Sequence, residues 1–147
     1  MHGLLLFAHL VGIVVWIGGM FFAAVCLHPS LAALLPKDRV ALMSGTLGRF
    51  LNHVVIAIVL IWASGLGLVA GSGLQGMPMG WHLMIGIGLL MTLIFAWLYL
   101  RLFRPVQRAI ERGEMAAVPP LMARIRTLVL TNLVLGIAAI ASVTMLA

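Results

Sequence analysis

Acidic residues are what this chain has least of. Asp38, Glu111 and Glu114 are the only three in 147 residues, and none falls within a long apolar run. No hydrolytic constellation is therefore expected there, since a Ser/His/Asp arrangement would lack its acid. A proton-coupled carrier normally holds an acid inside the bilayer, so that class is disfavoured as well. Cysteine is almost missing. Cys26 stands alone, which rules out an intrachain disulfide and any Cys-x-x-Cys metal or redox motif. It is expected to pack as a small apolar residue. Glycine-rich phosphate loops are absent too. Charged residues make up 8% of the chain against 64% hydrophobic, with a mean hydropathy of +1.23. That leaves too little polar surface to cover a soluble domain.

What the chain has instead is hydrophobic length. Four apolar runs cover approximately residues 3–27, 50–70, 80–103 and 121–146, each near the roughly 20 residues a helix needs to cross a bilayer. The expected fold is all-α: a single membrane domain over residues 1–147, built as a bundle of four transmembrane helices. The first run has no Lys/Arg ahead of it and is too long for a secretory h-region, so it reads as a retained span. Pro29, Pro36, Pro78, Pro105, Pro119 and Pro120 fall in the expected connections 29–49, 71–79 and 104–120 or at their edges.

Charge placement sets the expected topology. All nine Lys/Arg and all three acids fall in two regions. One holds Lys37, Asp38, Arg39 and Arg49. The other runs from Arg101 through Arg104, Arg108, Glu111, Arg112, Glu114 and Arg124 to Arg126. By the positive-inside rule these connections are cytoplasmic, so both termini face the outer, periplasmic side. The net charge of +6 thus reads as a set of membrane anchors, and no nucleic-acid partner is expected. Arg101, Arg104, Arg108 and Arg112 recur every three or four residues, a stripe suited to anionic lipid headgroups.

Five histidines outnumber the acids. His9 lies inside the first span, where an imidazole needs a partner and is a functional suspect. The topology places His9 and His82 toward the outer face, and His28 and His53 toward the inner one, while His2 is solvated at the outer end. Each pair comes from different helices, as a bis-imidazole site requires. Gly12, Trp16 and Gly19 follow His9 on one helix face. Small residues there leave room for a flat macrocycle with Trp16 at its edge, and they equally suit close approach of another helix. His53 likewise heads a face with Leu60, Ser64 and Gly67. Arg49, one turn earlier, would meet a haem propionate or a lipid phosphate. Asn132, the one amide in the last span, is expected to hydrogen-bond a neighbouring helix.

Ten methionines raise the question of a soft metal, since thioethers select Cu(I). Most read as apolar filling. The exception is Met77-Pro78-Met79-Gly80-Trp81-His82, which reads first as an interfacial loop anchored by Trp81 and second as a Cu(I) entry site.

The stretch from His9 to Phe22 resembles the first helix of HemJ-type membrane proteins, within a CopD/HemJ-like group that also includes copper-resistance D domains. Arg49-Phe50 with Ser64-Gly65 and the Asn132–Gly136 stretch are similar to helices of copper-resistance D domains, and Gly80-Trp81-His82 is similar to the start of the HemJ third helix. The resemblance implies that His9 ligates haem iron. HemJ-type protoporphyrinogen IX oxidases carry a lysine where this chain has Leu83, Met84 and Ile85, a departure that bears on the oxidase activity and leaves haem binding untouched. The resulting expectation is a homodimeric protein of a bacterial inner membrane that binds haem b near its outer face. Its axial ligands would be His9 and His82, with His28, His53 and Arg49 forming a second, weaker site. Two imidazoles leave iron no open position, which favours one-electron transfer with a quinone or another redox partner. Copper carriage through Met77, Met79 and His82 and HemJ-type oxidation are the alternatives.

Overall fold

The computed structural model describes residues 1–72 and 76–146. Four helices long and apolar enough to cross a membrane account for almost all of them. They are α1 (His2–Ala33), α2 (Pro36–Ser72), α3 (Met79–Glu111) and α4 (Met115–Met145). Among the described residues there is no strand. The protein is an all-helical, multi-pass membrane protein.

Helix continues well past the runs of high hydropathy. The 29–49 and 104–120 segments, expected as connections, are helical except at Leu34–Leu35 and around Arg112–Glu114. Prolines were expected to stop the helices, and the structure shows how they are tolerated. Pro36 opens α2, and Pro119 sits in the first α-helical turn of α4, just after the tight turn Met115–Ala117, where a missing N–H costs little. Pro29 and Pro105 lie inside longer helices, and each is preceded by a widened π turn, Phe22–Leu27 and Tyr99–Phe103. A proline ring collides with the carbonyl four residues back. Those carbonyls, on Val25 and Arg101, belong to the widened turns, where the regular ladder is already broken.

A third π turn, Val14–Gly18, keeps α1 facing inward. From His9 to Ala24 the buried residues of α1 are His9, Gly12, Trp16, Met20 and Ala24, mostly four apart. In a straight α-helix that spacing drifts by about 40° per step. Wider turns cancel the drift and hold one face against the bundle.

The helices pack chiefly as two antiparallel hairpins, α1 with α2 and α3 with α4, and α1 also touches α4. The α3–α4 turn is closed by Gly113, whose φ of 73° is open to glycine at little cost. Its N–H bonds the Ile110 carbonyl at 3.1 Å, and the Glu114 N–H bonds the Ala109 carbonyl at 2.8 Å, the paired pattern of a Schellman stop. Trp16, Met20, Leu51, Val54, Phe95 and Val129 form the middle of a core shared by all four helices. Trp16 meets Phe95 edge to face, with ring centroids 6.2 Å apart. Between the hairpins, Trp62 Nε1 donates to Thr92 Oγ1 at 3.1 Å.

Candidate functional site

His9 is buried, at 9% exposure, and its partner comes from α2. Its Nδ1 lies 3.0 Å from the Ile61 carbonyl and 3.2 Å from Ser64 Oγ. A carbonyl only accepts, so Nδ1 carries the proton and Nε2 keeps its lone pair. Ser64 is itself held to its own helix, donating to the Leu60 carbonyl at 2.5 Å. Gly65 leaves the ring its place, since a Cβ there would stand 3.2 Å from His9 Cε1. The imidazole thus fastens α1 to α2 within the apolar interior, where a hydrogen bond of this kind contributes about 0.6 kcal/mol, and up to about 1.7.

The glycines on His9's helix are used for close approach. A Cβ on Gly12 would run into Ile61, and one on Gly19 into Phe50. Gly67, on the face headed by His53, accommodates Leu5. Of the two readings open for these small residues, the geometry displays helix packing. Trp16 contributes to the core.

The remaining histidines have separate surroundings. His82 is exposed in the first turn of α3, its Nδ1 3.2 Å from the Pro78 carbonyl. His53 is exposed too, with Nδ1 2.7 Å from the Arg49 carbonyl of its own helix, and Arg49 is exposed. His28, half-buried, lines a cleft. His9 bonds α2, whereas His82 bonds the Pro78 carbonyl just ahead of its own helix.

Pro78 organises the Met77–His82 segment. Its extended backbone, φ −57° and ψ 152°, ends the connection and starts α3 at Met79. Met79 and His82, three apart on this first turn, share a face and are both exposed, with half-buried Met77 just upstream. The turn is braced from the other side. Ser142 Oγ donates to the Gly80 carbonyl at 3.1 Å, the Gly80 N–H reaches the Leu146 carbonyl at 3.3 Å, and a Cβ on Gly80 would overlap the Ser142 backbone. Ser142 is not marked out by any motif in the sequence. Its only signal was a small polar residue near the end of an apolar run.

Asn132 behaves as expected, donating from Nδ2 to the Met91 carbonyl of α3 at 3.2 Å. Its buried Oδ1 has no hydrogen-bond partner among the described residues. Arg101, Arg104, Arg108 and Arg112 are all exposed, with Val106 and Ala109 buried behind them. Arg104 lies 5.7 Å from the centre of the Tyr99 ring, which stacks between Phe95 and Phe103, an aromatic ladder not picked out in the sequence. Cys26, expected to pack as a small apolar residue, is exposed on α1.

Among the described residues no three His, Cys, Asp or Glu side chains cluster as a metal site. Any metal-binding set must therefore recruit methionine or consist of fewer ligands. Fold and donors together define a multi-pass helical membrane protein with Met77, Met79 and His82 in one short stretch at its uncharged end. The family of copper resistance protein D matches residues 44–146, well over half the chain, and the chain belongs to that family. No curated protein and no solved structure matches it.

Proposed function

We propose that this protein binds copper(I) through Met77, Met79 and His82 at the uncharged end of the bundle, as part of copper uptake or resistance. The observation that carries this reading is the extent of the family match. It includes these three residues and leaves out all of α1, with His9. The donor chemistry supports it, since two thioethers and an imidazole suit a soft monovalent ion. So does the ring of His82: the Pro78 carbonyl takes its Nδ1–H, presenting Nε2 as the free ligand, a common arrangement around metal-bound histidine. Under the positive-inside rule this end faces the periplasm of a bacterial inner membrane. Copper here is cargo. Titration of the purified protein with Cu(I) against a chromophoric chelator tests the reading. The wild type should take one equivalent, and the combined Met77→Ala, Met79→Ala, His82→Ala variant none; equal binding by both would overturn it.

A second reading is favoured by one observation. His9 also has its Nδ1–H held by a carbonyl, leaving Nε2 as a potential iron ligand. On this reading a homodimer would bind haem b, one or two per chain, and pass single electrons between a quinone and a partner. The filled faces of Gly12 and Gly19 require the helices to separate before a porphyrin enters. Visible spectra of oxidised and reduced protein, expressed with haem supplied, decide it. A missing Soret band removes this reading and leaves the copper one standing.

A further inference from the structure

The end of the bundle that carries the charged residues is open. Between the last turns of α1, the first turns of α2 and the start of α4 lies a cleft of about 680 Å³, within the range of ordinary ligand sites. Its wall is apolar, including Ala24, Leu47, Phe50 and Val129. Arg39, Arg126 and His28 also line it, and no acidic residue does. Arg39 is held in place there, its guanidinium donating to the Ala32 and Leu34 carbonyls at 3.1 and 3.2 Å. A greasy wall beside uncompensated cationic groups matches one kind of molecule, an amphiphile with an anionic head. The bilayer around the four helices supplies it at high local concentration, and basic pockets between helices are known to suit such headgroups. Met43 and Met122 line the cleft as well, but two guanidinium groups repel a copper ion.

We propose that this cleft holds one anionic phospholipid, its phosphate against Arg39 and Arg126 and an acyl chain along the apolar wall. The lipid fills the space between α1, α2 and α4 and completes the packing that the protein leaves open at this end. It does so independently of copper or haem.

The test uses full-length protein in nanodiscs of phosphatidylcholine, with fluorescent phosphatidylglycerol as the probe. Wild-type protein should prefer phosphatidylglycerol over labelled phosphatidylcholine. Arg126→Gln should weaken that preference about fivefold, the weight of roughly one basic residue near an anionic surface. Arg108→Gln, on the exposed stripe outside the cleft, should change it far less. Ala123→Phe, which narrows the cleft, should lower uptake of both lipids, with helicity by circular dichroism confirming the fold. Equal losses in Arg126→Gln and Arg108→Gln would overturn the proposal, as would binding without headgroup preference. Displacement by inorganic phosphate at the same concentration would overturn it too, because the acyl chain would then contribute nothing.

Discussion

The two ends of this bundle are built on opposite plans. At the uncharged end the helices are drawn together by small residues and short polar links: His9 to Ile61 and Ser64, Gly67 under Leu5, Gly80 against the Ser142 backbone. At the charged end the helices part around a cleft lined by Arg39 and Arg126. The difference follows from where polar groups can go. An unpartnered polar atom in hydrocarbon is costly, which rewards close approach between helices. Near the charged surface, arginines reach water and lipid headgroups and do not require a protein partner.

The sharpest way to break this contrast is at Gly80. Gly80→Val should cost about 3 kcal/mol, because the side chain meets backbone that cannot move aside. Thermal unfolding in detergent should show a clear drop, whereas Gly86→Val, at a glycine with open space around it, should show almost none. Next comes His9→Leu, with an expected loss of about 1 kcal/mol as α1 loses its polar link to α2. Ser64→Ala should lose less, since Ile61 still accepts from the ring. At the other end, Arg39→Gln should lower stability by about 0.5–1 kcal/mol through the released carbonyls of Ala32 and Leu34. The smallest expected change is in Met79→Ala and His82→Ala, both exposed and within about 0.5 kcal/mol of wild type. Copper affinity should fall in those two variants all the same, separating the donor set from the packing around it.

Much of the fold is legible in the sequence. Hydropathy and the absence of charge identified four spans, because a long uncharged segment has few ways to exist outside lipid. Helix ends were less legible. Pro29 and Pro105 read as stops, yet a widened turn ahead of each lets the helix pass. At the candidate sites, the place of His9 within an apolar helix was readable but its hydrogen-bond partner was not. That partner is the Ile61 carbonyl on the adjacent α2, bonded through Nδ1. Periodicity put Gly12, Trp16 and Gly19 beside His9, and only the neighbouring helix decided that Ile61 and Phe50 occupy that space.

Local composition establishes a four-span membrane protein whose charged side chains are confined to two connections and their flanks, and it singles out the short stretch from Met77 to His82 as a candidate donor set. These properties depend on local composition, and the bilayer acts on each segment separately. Tertiary structure alone decided which side of each helix faces which neighbour. That gave His9 a carbonyl on α2, sealed one end through Gly80 and Ser142, and left a cleft at the other. Such outcomes depend on pairings between residues 50 or more positions apart, which no local pattern encodes.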